Sequence, residues 1–380
     1  MPGPLSGFRI IELAGIGAGP FCGMMLADMG AEVISVERPG GNPAAAAGHG
    51  VLFRSRRSVA LNLKHPQAAE VVLRLCEKSD ALFEGNRPGV TERLGVGPDA
   101  CMKRNPKLVY GRMTGWGQEG PMAQAVGHDI NYISLAGALH AMGRAGETPA
   151  IPLNLIGDFG GGGLLCAFGI VCALLEAQRS GKGQVVDAAM LDGASTLMAM
   201  WWGFKQQGMF SEKRGTHLLD SGAHFYEVYE TSDGKHISIG AIEPQFYAVL
   251  REKLSLGDDF KDQMNPKRWP EMKEKLAAII RTRTRDEWSA LLEGSDACAA
   301  PVLQLAEAPA HPHNKARNAF LEVGGATQPA PAPRFSRNVS DAPRAQVKVG
   351  ADTLAVLSES GFSSADSDAL LKAGAIACAS

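Results

Sequence analysis

Apolar residues in the first third of the chain fall into short strand-length runs separated by stretches with helical spacing. Phe8 to Leu13 reads as a buried strand. Pro20 stands where a helix begins and Gly30 where it ends. Ala31 to Glu37 and Ser58 to Leu63 read as the next strands, followed by a helix over Pro66 to Lys78. Asp80 to Glu84 and Lys107 to Met113 continue the alternation. Such alternation predicts an α/β fold: a Rossmann-like large domain whose parallel sheet is covered on both faces.

Further along, the run Gly157 to Gly163 reads as a glycine-rich loop opening a helix that stops at Gly181-Lys182-Gly183. Asp192 to Gln207 predicts another long helix. Phe225 to Thr231, Asp233-Gly234 and Lys235 to Ala241 predict two strands joined by a turn. Helical spacing covers Gln245 to Glu293, the QPAPAP run from Gln328 predicts a rigid linker, and Gly350 to Gly374 is helical again. These readings place a large α/β domain at 1–200 and a linker at 201–221. A smaller α+β domain follows at 222–327, then a linker at 328–345 and a tail at 346–380 that rejoins the large domain. The apolar run Leu164 to Leu175 is too short to span a bilayer and reads as a buried helix.

The formal net charge of −2 gives no reason to expect nucleic acid or an acidic membrane as partner. Seven scattered cysteines without a CxxC pair suit reduced thiols. Met1 to Arg9 does not read as a secretory signal, and Ala377-Cys378-Ala379-Ser380 is no SKL-type address. A cytoplasmic protein is expected.

The most informative chemistry lies in Gly127-His128-Asp129-Ile130-Asn131-Tyr132 and in Gly157-Asp158-Phe159-Gly160. They place one imidazole and one carboxylate in two polar glycine loops within apolar sequence. A helix start after Asp158 would offer backbone N–H groups and a positive dipole end to an anion. Two proton-transfer groups beside such a site suit removal and return of a proton next to a carbonyl. The ordinary roles are a structural histidine and a capping aspartate. Glu243 ends a strand before a helix and either caps it or orients a histidine. Gly15-Ile16-Gly17-Ala18-Gly19-Pro20 resembles a dinucleotide fingerprint, with Glu37 at the distance of a ribose-binding acid. Its sixth position is proline, which removes an N–H a pyrophosphate could use. Arg38, Arg54, Arg56, Arg57, Lys64, Arg87 and Arg93 lie at strand ends and loops, where they would suit a polyphosphate or a solvated surface. Met190, Met198, Met200 and Met209 with Trp201 and Trp202 read as core, or as a surface tolerant of varied apolar ligands.

Taken with Ile11 to Gly17, Leu26 to Val33, Val36 to Gly40, Arg57 to Lys64, Arg87 to Val90 and Glu243 to Tyr247, the GHDINY run resembles the α-methylacyl-CoA racemases of the family III CoA-transferase (CaiB/BaiF-like) superfamily. The resemblance implies His128 and Asp158 as the catalytic acid/base pair, with Glu243 pairing to His128. It implies CoA contacts from Arg38, from Leu61, Asn62, Leu63 and Lys64, from Gly85, Asn86 and Arg87, from Arg93, and from Gly127, His128, Asp129, Ile130, Asn131 and Tyr132. Ser35 and Asn62 depart from relatives that often carry Lys and Asp there. The resemblance further implies an interlocked homodimer in which Glu243 reaches its partner's site. It implies a racemase of 2-methyl-branched acyl-CoA thioesters needing no metal or other cofactor, CoA being part of the substrate. A CoA transferase with Asp158 as nucleophile and a non-catalytic CoA-binding protein are the alternatives.

Overall fold

Aliphatic side chains alternate between the two faces of each early strand, which is what a sheet covered on both sides requires. In the computed structural model, which describes residues 3–41 and 49–379, the strands are β1 (Arg9–Leu13), β2 (Glu32–Glu37), β3 (Arg57–Leu61), β4 (Ala81–Glu84), β5 (Val109–Thr114) and β6 (Val185–Ala189). Ile11, Leu13, Ile34, Val36, Val59 and Leu61 face one apolar cluster. Ile10, Val33, Ala81, Phe83 and Val109 face the other. Each fully buried aliphatic side chain contributes roughly 1.5–3 kcal/mol. Helix α1 (Ala18–Asp28) follows β1, α2 (Ala68–Glu77) follows β3, and α3 (Asp129–Leu135) lies beyond β5. A π-helical segment, Leu155–Leu164, runs directly into α4 (Leu165–Ser180), and α5 (Met190–Leu197) follows β6.

A second set of elements comprises β7 (Tyr226–Glu230), β8 (His236–Gly240) and β9 (Ala299–Pro301), with helices Pro244–Lys253, Trp269–Ile280 and Arg285–Leu292. Phe225, Tyr247, Trp269 and Trp288 fill their core. The chain closes with the hairpin β10 (Phe320–Val323) and β11 (Ala326–Pro329), helices Thr353–Glu359 and Ser364–Lys372, and β12 (Ile376–Ala377).

The main sheet has the order β12-β3-β2-β1-β4-β5-β6. All its pairs are parallel except β12 against β3. The chain winds outward from β1 to β3, then returns to the other side of β1. The reversal between β1 and β4 makes a crevice beyond the strands' carboxyl ends, where open α/β sheets bind ligands.

Compactness divides the chain into one unit of Met1–Ala136, Leu153–Leu197 and Arg317–Ser380, and another of Gly137–Pro152 and Met198–Ala316. Residues 137–152 thus belong with the second unit and 317–345 with the first, unlike the expected boundaries. Gln328 to Pro333 does not read out as a plain linker: β11 ends at Pro329, and Gln328 is buried against Arg54. The tail rejoins the sheet through β12, and Arg57 pairs with Glu359 at 2.8 and 2.9 Å. Ser380, of the terminal tetrapeptide, and the first two residues of Met1 to Arg9 lie outside the described residues.

Other elements also depart from expectation. Helix α1 begins two residues before Pro20. Strand β6 was hidden because VVDAA does not alternate and its first residue, Val185, is exposed at the sheet edge. The expected helix from Asp192 to Gln207 is two helices, α5 and Ala199–Gln206. Gly350 to Gly374 likewise holds two helices.

The largest departure is the glycine run, which is helical rather than a loop. A methyl at Gly161 would stand 2.7 Å from the Ala194 nitrogen, and one at Gly163 would stand 2.6 Å from the Ala18 oxygen. The glycines let this segment pack backbone to backbone against α5 and α1. The helical run Leu155–Ser180 is therefore 26 residues, long and apolar enough to cross a membrane by length and composition. Within the fold, Cys166, Ala167, Ile170, Ala173, Leu174 and Ala177 of α4 cover the sheet.

Candidate active site

Two cavities open at the carboxyl edge of the main sheet. The first, about 510 Å³, lies beyond β1, β2 and β3 and is lined by Ala14, Gly15, Glu37, Arg38, Phe53, Leu61, Asn62, Leu63 and Lys64. The second, about 370 Å³, lies beyond β1, β4 and β5. Its walls include Gly17, Ala18, Gly85, Asn86, Arg87, Trp116, Gly127, His128, Tyr132, Asp158 and Met190. The strand order places them on either side of β1, at the switch point.

His128 is the residue before α3, and its ring is exposed. Its backbone N–H donates to Asn131 Oδ1 at 3.0 Å, so the third residue of the helix holds the turn that presents the imidazole. Tyr132 pins the same loop: its hydroxyl donates to the Gly127 carbonyl, and its ring stands edge-on to Trp116 at 4.8 Å. A methyl at Gly115 would stand 2.1 Å from the Tyr132 ring, so glycine there admits the tyrosine. Asn131 and Tyr132 thus shape the loop, while Ile130 is exposed.

Asp158 lies in the first turn of the π-helical segment, not ahead of the helix as its sequence setting suggested. Asn154 Nδ2 donates to its Oδ2 at 3.1 Å. A methyl at Gly17 would stand 3.3 Å from that oxygen, so the carboxyl faces the start of α1. Burial raises the Asp158 carboxyl above the ordinary aspartate range. The Asn154 hydrogen bond and His128 pull it down, and the Asp129 charge adds to burial. The pair thus combines a half-buried acid inclined to hold its proton with an exposed imidazole. Asn154 escaped the sequence reading; its spacing of four residues from Asp158, about one helical turn, was the available signal.

The basic residues fall into distinct roles. Arg38 and Lys64 line the first cavity and Arg87 the second. Arg54 is buried against Asp28, with Nε to Oδ1 at 3.0 Å, and donates to the Pro329 carbonyl at 2.8 Å. Arg56 is buried against Glu12, with Nε to Oε2 at 2.6 Å. Arg57 bridges Glu32 and Glu359. These three hold the fold and offer no phosphate clamp. Arg93, at the end of a short helix, is exposed and lines neither cavity.

Glu243 lies in the second unit, exposed, immediately before the helix Pro244–Lys253, without a side-chain capping bond. Among the described residues, no three His, Cys, Asp or Glu side chains gather as a metal site.

The model of CoA-transferase family III matches residues 5–353. The chain belongs to CoA-transferase family III. It is 47% identical to the mouse (Mus musculus) protein named alpha-methylacyl-CoA racemase, covering 94% of each chain. It is 43% identical to the human (Homo sapiens) protein of that name, again over 94% of each. The crystal structure of a CAIB/BAIF family protein from Brucella suis superposes with a TM-score of 0.81 at 27% identity, covering 95% of this chain and all of that one.

Proposed function

We propose that this family III protein is a racemase that interconverts (R)- and (S)-2-methylacyl-CoA thioesters by proton transfer through an enolate. One observation carries the reading: an imidazole from the loop before α3 and a carboxyl from the π-helical segment share a cavity beside a second cavity lined by cations. The relatives at 47% and 43% identity, both named alpha-methylacyl-CoA racemase, support it.

The nucleotide end of CoA binds in the first cavity through Arg38 and Lys64. The thioester enters the second past Arg87. His128 or Asp158 removes the α-proton, and the resulting enolate is planar. Its oxyanion lies toward the starts of α1 and α3, where first-turn N–H groups and helix dipoles favour negative charge. The second group, already protonated, returns a proton to the opposite face. His128 is the base for the S substrate and Asp158 for the R, an order taken from the family resemblance. The raised Asp158 carboxyl suits the acid role, because it keeps its proton to higher pH than a free aspartate. No metal or redox step enters this scheme.

The working form is a homodimer. Leu164, at the end of the π-helical segment, and Phe168 and Leu175 of α4 are exposed and apolar, and Leu135, Leu155 and Leu197 are also exposed. Such a surface suits burial against a second copy. Glu243 serves as the orienting carboxylate for the histidine of its partner. A Glu243→Ala chain co-expressed with a His128→Ala chain should then regain activity toward half of wild type in the isolated heterodimer. No recovery assigns Glu243 to its own chain or removes it from the site.

A single enantiomer of a 2-methylacyl-CoA, incubated without added carboxylic acid, should converge to a near-equal mixture. Turnover only with an acceptor acid, with hydroxylamine trapping an acylated or CoA-linked Asp158, replaces this reading with a transferase.

A further inference from the structure

Asp129 stands next to the histidine, yet its carboxyl group faces away from solvent. The residue is 5% exposed. Its Oδ2 accepts the backbone N–H of Asp158 at 2.7 Å. Its Oδ1 is buried and has no hydrogen-bond partner. A methyl at Gly157 would stand 2.6 Å from Oδ2, so glycine at 157 makes room for the carboxylate. Asp158 is in the first turn of its helical segment, where backbone N–H groups lack partners within the helix. Asp129 supplies one from a different element and so ties the segment bearing Asp158 to the loop bearing His128.

We propose that the Asp129 side chain is a positioning group and not a CoA contact: its buried carboxylate fixes the Asp158 backbone and sets a second negative charge behind the Asp158 carboxyl. The inference rests on the racemase reading only for its kinetic consequence. The geometry predicts two effects. The bond sets the direction of Asp158 toward the cavity. The charge disfavours ionisation of Asp158, in the same sense as burial does.

The other groups around Asp158 can be named. Asn154 donates to it from its own segment, and His128 and Tyr132 interact with it from the loop and from α3. Arg87 lines the same cavity from the loop after β4. The packed strands and α5 bring Arg112, Asp187 and Asp192, of which Asp187 interacts with the other two. Asp129 is the anion bonded to the Asp158 main chain.

The test is a carbon-13 NMR titration of the Asp158 carboxyl, assigned by its loss in Asp158→Asn, in wild type and in Asp129→Asn. The amide keeps the shape and an acceptor oxygen but removes the charge. Asp158 should titrate at lower pH in Asp129→Asn than in wild type. The acid limb of kcat/KM with the R substrate, where Asp158 is the base, should move down with it. KM for acyl-CoA should stay within about twofold, and Asp129→Ala, which also loses the acceptor, should lower kcat by roughly tenfold. An unmoved Asp158 titration, or a raised KM with kcat intact, overturns the assignment. If the wild-type protein racemises neither enantiomer, the racemase reading fails while the titration still decides the role of Asp129. A measurement on wild type guards against a variant that does not fold. The Asp158 amide proton should be shifted downfield and protected from exchange, and an unprotected amide there overturns the proposal.

Discussion

The two cavities at the sheet edge are made from the same kind of loop, yet they offer opposite things. The one beyond β2 and β3 presents Arg38 and Lys64, long flexible cations suited to holding a charged handle. The one beyond β4 and β5 presents His128, whose backbone N–H donates to Asn131, and Asp158, whose carboxyl accepts from Asn154. Binding tolerates side-chain freedom, whereas proton transfer needs groups held within reach of one atom. Separate cavities let one fold provide both, and they predict that mutations will separate affinity from turnover.

Beneath both cavities lies a third class of charge, and breaking it should have the largest effect. Arg56→Ala leaves the buried Glu12 carboxylate without its cation, and loss of one partner of such a pair costs about 3–5 kcal/mol. Chemical denaturation should register that loss, and KM of whatever protein folds should be unchanged. A raised KM with intact stability would return Arg56 to the ligand site.

The next effect is on turnover. His128→Ala and Asp158→Ala should each lower racemisation by roughly 10² or more while CoA affinity persists, as steady-state kinetics and CoA titration would reveal. Activity within a few-fold of wild type in both would remove the division of labour between the cavities. On the other side of the comparison, Arg38→Ala and Lys64→Ala should raise KM by roughly tenfold with a smaller change in kcat. The affinity they provide should weaken with added salt. Arg93→Ala, whose side chain lines neither cavity, should change KM by less than about twofold.

The smallest effect concerns pH and stability. The folded-state pKa of Asp158 lies above its unfolded value, so the folded protein holds that proton more tightly. The contribution of Asp158 to stability therefore falls as pH rises from the unfolded aspartate value through the folded one, and is level above it. Asp158→Asn removes this dependence. Its thermal midpoint should gain on wild type over that window and keep the gain at neutral pH. A variant that loses ground there would mean that ionised Asp158 is stabilised by its surroundings.

Much of this division was legible in the chain. The alternation of short apolar runs with helical stretches from β1 to β5 announced the parallel sheet, because strands buried on both faces leave near-continuous apolar runs. His128 and Asp158 stood out as polar groups in apolar sequence. The glycine run misled, since glycine signals turns locally, while here it serves close helix packing against Ala18 and Ala194. The sorting of the arginines was also invisible. Asp28, Glu12 and Glu32, which hold Arg54, Arg56 and Arg57, are more than twenty residues away in the chain and become neighbours only in the folded protein. Asp129 belongs to the same class: next to His128 in sequence, it acts on Asp158 across the fold.

The proposed function requires one cavity to hold a proton-transfer group for each face of the α-carbon. Incubating each enantiomer of a 2-methylacyl-CoA separately in D₂O and following C2 by NMR and chiral analysis tests it most directly. Both enantiomers should incorporate deuterium at C2 and converge on the same mixture, with no added acid. Retention of the α-hydrogen and of configuration in both, from a protein that binds CoA, would contradict it.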